Sequence, residues 1–143
     1  MLIKQISVIL DNVPGKMQEV SQLLGAERIN IRAITVASND DISTVRLVVD
    51  DPAKTLNVLK SSGYSVKEAD VIAVEVPDHP GGLQAILKPL KEANINVPYI
   101  YTHLGRTENG NAIAIVGVDK TQEALQVLKA NWVRIHGEEV YSL

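Results

Sequence analysis

Two short segments carry the residue types best suited to holding a small charged molecule. They are Asp11-Asn12-Val13-Pro14-Gly15-Lys16-Met17 and Pro77-Asp78-His79-Pro80-Gly81-Gly82-Leu83. In each, Pro-Gly precedes a run whose apolar residues recur at helical spacing. The first amides of a helix lack intrahelical partners and sit at the positive end of its dipole, so they attract anions. The candidate donors are the amides of Gly15, Lys16 and Met17, and those of Gly81, Gly82 and Leu83. Val13 and His79 occupy the usual cap positions without offering the small side-chain oxygen that fills them. Asp11, Asn12 and Asp78 stand just upstream. A carboxylate on backbone amides, with its ammonium on an Asp or Asn side chain, describes a zwitterionic amino acid. Asn30-Ile31 and Asn96-Val97 follow the helical runs, and an Asn amide can donate and accept together. A plainer reading stands beside this one. Pro-Gly is common turn punctuation, Asn12 and Asp78 suit helix caps, and Asn30 and Asn96 suit turns.

Other chemistries find little support. His79, His103 and His136 share no short spacing, and no Ser or Thr lies in a nucleophile motif. His79 beside Asp78 is the best acid/base candidate, yet the chain is expected not to be an enzyme. With no cysteine, disulfides and thiolate metal sites are excluded, and a site built on Asp78 and His79 lacks further ligands. No cofactor is expected. The net charge of −3 and a pI near 5.6 argue against nucleic acid, whose binders carry a basic stripe. RNA-recognition sheets also need aromatics on their first and third strands, and here those strands have none. Lack of cysteine, of an N-terminal apolar core and of any run of roughly 18 apolar residues fits a cytoplasmic protein without a membrane span.

The elements that must position these residues occur twice. Pro14-Gly15 matches Pro80-Gly81 at an offset of 66, and Ile29-Asn30-Ile31 matches Ile95-Asn96-Val97 at the same offset. Beyond mid-repeat the offset is 69, where Val49-Asp50 meets Val118-Asp119. Three extra residues therefore enter the second repeat, and Gly105 to Gly110 reads as the loop that takes them. Within the first repeat, Ile6, Val8 and Leu10 alternate as a strand. Pro14 suits the first helical position, and Met17, Val20, Leu23 and Leu24 form one stripe. Asn30–Ala37 and Val45–Val49 read as a hairpin across Ser38-Asn39-Asp40-Asp41. Asp51-Pro52 opens a helix that Gly63 ends, and Ser65–Ala69 offers a fourth strand. The order βαββαβ is the ferredoxin-like split arrangement, an α+β fold. The domains are expected at 1–70 and 71–143, without a flexible linker between them. Pro89, inside the second repeat's first helix, is expected to kink or end it, since an interior proline costs about 3 kcal/mol.

In order, spacing and repetition these motifs resemble the ACT domain, as a tandem pair covering almost the whole chain. The resemblance implies a regulatory, ferredoxin-like module that binds an amino acid where two copies meet. It implies four-stranded sheets lying side by side as one of eight strands, helices on one face. It also implies a partner enzyme of amino-acid metabolism. In phosphoglycerate dehydrogenase such a site uses an Asn two residues before the Pro-Gly and an Asn opening the second strand of the adjacent copy. Asn12 and Asn30 match those positions, as does Asn96, whereas Asp78 departs from the pattern.

A protein-protein interaction module without its own ligand is the alternative. Ile113–Val118 is apolar on both faces, and Ile9, Ile34, Val36 and Val48 fall opposite the expected core positions. Apolar residues on the open face of a sheet predict a partner surface, and hence a homodimer through an isologous contact.

Overall fold

In the computed structural model, which describes residues 1–143, the alternating segment around Ile6 becomes strand β1 (Ile3–Asp11). It is followed by α1 (Lys16–Ala26), β2 (Ile31–Ser38), β3 (Ile42–Val49) and α2 (Pro52–Ser61). The long strand β4 (Ser65–Val76) leads to α3 (Gln84–Glu92), β5 (Tyr99–Arg106), β6 (Ala112–Gly117), α4 (Thr121–Ala130) and the short β7 (Ile135–His136). A 3-10 turn, Glu138–Tyr141, closes the chain.

The chain divides into two compact units, Lys4–Ala69 and Asp70–Leu143, the latter taking in Met1–Ile3. In the first unit β1 pairs with β3 and β3 with β2, both antiparallel. β1 also pairs with β4, and Lys4 Nζ lies 3.8 Å from Glu68 Oε1. In the second unit the order is β7–β4–β6–β5, all antiparallel. The fold is α+β with two βαββαβ units in tandem. Seven strands are present, not eight. Only Asp70 stands between Ser65–Ala69 and the strand that begins at Val71, and it continues the extended backbone, so the last strand of one repeat and the first of the next are one element.

Each unit has its own core. In the first, Ile6, Val8, Leu10, Val45 and Leu47 pack against Val20 and Leu24 of α1 and Leu59 of α2. In the second, Ile72, Val74, Ala114 and Val116 pack against Ile86 and Leu90 of α3 and Leu128 of α4. Burying one such Leu or Ile stabilises by about 1.5–3 kcal/mol. All four helices end alike. Arg28, Gly63, Asn94 and Trp132 take positive φ of 57°, 87°, 57° and 62°. The next amide (Ile29, Tyr64, Ile95, Val133) donates back to the carbonyl of Leu24, Leu59, Leu90 or Leu128 at 2.9–3.1 Å. This closure satisfies carbonyls that the helix end leaves open.

Several expectations need correction. Pro14 does not start α1. Gly15 has φ +90°, which no helix accommodates, so Pro-Gly forms a turn and the helix begins at Lys16. Pro89 does not end α3, which continues to Glu92. That helix is short at its start instead. The three extra residues of the second repeat do not share one loop. Register shifts between Thr102 and Arg106 set two of them in a bulge at His103-Leu104-Gly105, leaving one in the hairpin turn. There the buried His103 accepts from the Gly105 N–H at Nδ1 (2.8 Å) and donates from Nε2 to the Val140 carbonyl (2.7 Å). The bulge thereby holds the C-terminal 3-10 turn.

The expected open faces are also different. A register shift between Ile31 and Ala33 reverses the parity of β2. Ile34 and Val36 stand opposite Leu47 and Val45, so they point to the helix side of the sheet. Val48, Ile113 and Ile115 are fully buried within the chain. Of the residues expected to seek a partner on the far face, Ile9 remains 38% exposed.

Candidate functional site

The first helix entrance is built by a turn that leaves its amides uncapped. Glycine at 15 permits the left-handed conformation, and no side chain caps α1. The Glu19 N–H donates to the Gly15 carbonyl at 3.0 Å. The amides of Lys16, Met17 and Gln18 are thus the ones without intrahelical partners, one residue further along than expected. A cavity of about 260 Å³ opens against them, lined by Asp11, Asn12, Gly15, Lys16, Met17 and the β-hairpin residues Ser38 and Ser43. The Ser38 and Ser43 hydroxyls bond each other at 2.7 Å. Lys16 Nζ lies 3.6 Å from Glu19 Oε2.

Asn12 does not cap the helix. Its Nδ2 donates to the Asn39 carbonyl at 2.7 Å, and its backbone N–H to that of Asp41 at 2.9 Å. It ties the entrance loop to the β2–β3 turn. Asp78 does the same work in the second repeat by other chemistry. Arg106 Nη1 donates to Asp78 Oδ2 at 3.0 Å and to the Gly110 carbonyl at 2.9 Å, joining the loop to the β5–β6 hairpin.

The second entrance is otherwise built differently. Gly81 has φ +83°. A Cβ on Gly82 would stand 2.0 Å from the Pro77 carbonyl oxygen, so only glycine fits. The chain folds through tight turns there. Gly82 donates to the His79 carbonyl, Gln84 to Gly81 and Ala85 to Gly82, at 3.0–3.2 Å. The bonds of Gly82 and Gln84 consume amides whose counterparts at Lys16 and Gln18 stay open in the first repeat, and the helix is delayed to Gln84. His79 donates from Nδ1 to the Pro80 carbonyl at 3.0 Å. The adjoining cavity, about 420 Å³, is lined by Asp78, His79, Gly81, Gly82 and Leu83, with Thr102 and Ala114 from the sheet.

Asn30 and Asn96 lie at the other end of their helices. The Asn30 N–H donates to Asp50 Oδ1 at 2.9 Å, and the Asp50 N–H returns to the Asn30 carbonyl at 3.0 Å. Asn96 and Asp119 repeat this bridge at 3.1 and 3.3 Å. Within a repeat, the Pro-Gly and the Asn are therefore separated by the length of a helix, roughly 16 Å for 11 residues in α1. Ile31 reaches back into a cleft beside α1 of about 280 Å³, also lined by Leu10, Met17 and Ile34. Asn96 and Val97 line a separate cavity of about 440 Å³ with Asp119 and Lys120, whose Nζ donates to the Asn94 carbonyl. The bridging acids Asp50 and Asp119 were not among the expected site residues, although both follow Val in the matched pairs Val49-Asp50 and Val118-Asp119.

A third polar group was not anticipated. His136 faces Glu75 Oε1 from Nε2 and Glu139 Oε1 from Nδ1, each at 3.0 Å, and Asn111 donates to Glu75 Oε2 at 2.8 Å. The Asn111 hydrogen bond, helped by His136, holds the Glu75 carboxyl below its ordinary value against the opposing effect of burial. Burial pushes the Glu139 carboxyl up, but the Gly137 N–H and His136 outweigh it and hold it low. The residues are distant in sequence, so spacing gave no signal. No cluster of three His, Asp or Glu side chains is arranged to hold a metal ion. No helix is long and apolar enough to cross a membrane.

The model of the ACT domain pair matches residues 1–141. The chain belongs to the ACT domain pair family. The solved structure of protein BT0572 from Bacteroides thetaiotaomicron shares 30% identity with a TM-score of 0.91, over 100% of this chain and 98% of that one. The regulatory subunit of aspartate kinase from Thermus thermophilus, in its ligand-free form, has a TM-score of 0.63 at 17% identity, covering 92% of this chain and 95% of that one. Its counterpart from Thermus flavus gives 0.62 at 16%, with the same coverage. At such identity these two report the shared ACT-pair fold alone. No curated protein matches by sequence.

Proposed function

We propose that this ACT pair is a non-catalytic regulatory protein that senses an amino acid at the Pro-Gly helix entrance of its first repeat. The observation that carries the reading is the uncapped start of α1 opening onto a cavity. The amides of Lys16, Met17 and Gln18 take the carboxylate, with the Lys16 ammonium adding to their field. Asp11 is among the residues lining the same cavity, and its carboxylate is the acid assigned to the ammonium. Asn12 positions the loop. The fold shared with a regulatory subunit of aspartate kinase supports a regulatory role. The protein is read as a cytoplasmic homodimer that passes its bound state to an enzyme of amino-acid metabolism.

A thermal-shift screen against the common amino acids tests the reading. A ligand bound only by the folded state stabilises by about 2.7 kcal/mol at one hundred times its dissociation constant. A hit that weakens on changing Asp11 and Asn12 to alanine is expected. No shift with any amino acid would instead favour an interaction module, a reading to which the exposed Leu104 and Trp132 lend some support.

A further inference from the structure

The two cavities beside α1 share Leu10, Met17 and Gln18 in their walls, so the polar entrance continues into the cleft between α1 and the sheet. That cleft is walled by Leu10, Val20, Ile34, Val45 and Leu47, with Gln18 and Ser21 its polar members, and no charged side chain lines it. Met17 and Ile34 line this cleft, and Val13 and Val36 line the adjoining entrance, each between 38% and 53% exposed. Exposed large apolar residues are ordinarily scattered singly. Here four gather in one region, and the β2 bulge is what turns Ile34 and Val36 toward it.

We infer that the first-repeat site selects an amino acid with a large aliphatic or aromatic side chain. The inference rests on the amino-acid reading above and adds the ligand class. The carboxylate lies at the amides of α1, and the side chain runs along the cleft to Ile34 and Val45, covering apolar surface that water now wets. The second repeat does not offer the same surface. Val76, Thr102 and Ala114 stand there in the places of Leu10, Val36 and Val45, and its Gly82 and Gln84 amides are spent in turns. A site that excludes charge and small polar groups by its lining discriminates by about tenfold or more per methylene gained or lost.

Isothermal titration of the full chain with L-leucine, L-phenylalanine, L-serine and L-glutamate tests this. Leucine or phenylalanine is expected to bind at least tenfold more tightly than serine or glutamate. Ile34→Asp should abolish that binding, and Ile100→Asp, at the equivalent place in the second repeat, should leave it. Val36→Thr, a milder change, should weaken it severalfold if Ile34→Asp does not fold. Serine or glutamate binding as tightly as the apolar pair overturns the side-chain inference and leaves the amino-acid site standing. Loss of binding in Ile100→Asp but not in Ile34→Asp overturns the choice of repeat. Failure of all four to bind removes both the inference and the reading beneath it.

Discussion

The two helix entrances begin from nearly the same residues and finish with different chemistry. Asp11-Asn12-Val13-Pro14-Gly15 leads directly into α1, and the first amides stay open. Pro77-Asp78-His79-Pro80-Gly81 meets a second glycine, Gly82, whose backbone approaches Pro77 too closely for any Cβ. The chain then turns tightly, and its amides bond to carbonyls of the same loop. Among the positions at which the two segments differ, Lys16 against Gly82 is the one that bears on the helix start: Gly82 permits the tight turn that occupies its own amide and that of Gln84. The anchoring pairs differ in the same sense. Asn12 holds its loop by neutral hydrogen bonds, whereas Asp78 uses an exposed ion pair with Arg106.

Breaking the second entrance should have the largest effect. Gly82→Ala drives a methyl into the Pro77 carbonyl and should destabilise the protein by about 2–3 kcal/mol in urea titration, within the range of overpacked sites. Lys16→Ala, its counterpart, should change stability by less than about 0.5 kcal/mol, as exposed substitutions do. Equal effects would mean that the two entrances are not distinct.

A second contrast lies in the sheets. Ala33 faces Val48 in the first repeat, and Tyr99 faces Gly117 in the second. A Cβ on Gly117 would stand 2.2 Å from the Tyr99 ring. Gly117→Ala should therefore cost about 1–3 kcal/mol, and adding Tyr99→Ala should recover part of that loss. The double-mutant cycle reads the coupling directly.

Acid should loosen the second repeat before the first. The Glu75 carboxyl is held below its ordinary value of 4.5, and the matching residue in the first repeat is Ile9, which does not titrate. A depressed carboxyl contributes stability that is complete above its unfolded value and is lost as pH falls through the folded one. Hydrogen exchange at β7 should accordingly rise below about pH 4.5, and Glu75→Gln should flatten that dependence. The smallest expected effect is that of Arg106→Ala. Its exposed pair with Asp78 is worth about 0.2–1 kcal/mol, and the loss should shrink in high salt.

The repeat was legible because apolar residues facing a core must keep their period. Strand order and both cores follow from it, whereas the fusion of Ser65–Ala69 with the next strand into Ser65–Val76 does not, because Asp70 between them suits a turn as well as a strand. The β2 bulge was not legible. It inserts one residue without a glycine or proline to mark it, and every side chain after Arg32 changes face. For that reason Ile34 and Val36, expected on an open sheet surface, line the cleft and the entrance beside it, respectively. The helix ends hid for a similar reason. Gly63 announces its left-handed turn, whereas Arg28, Asn94 and Trp132 adopt the same conformation unannounced, held there by the amide that follows. Gly82 reads as an ordinary loop residue until the Pro77 carbonyl is seen beside it. In the sequence the Asp50–Asn30 and Asp119–Asn96 bridges show only as matching letters, because reciprocal bonding needs two chain segments side by side.

Trp132 has a further use. It is the chain's one tryptophan, 95% exposed at the end of α4. Its indole already sits in water, so unfolding should scarcely change the colour of its emission. A partner that covers this corner should shift that emission to shorter wavelength. The native chain thus carries a fluorophore nearly silent to its own melting and responsive to company.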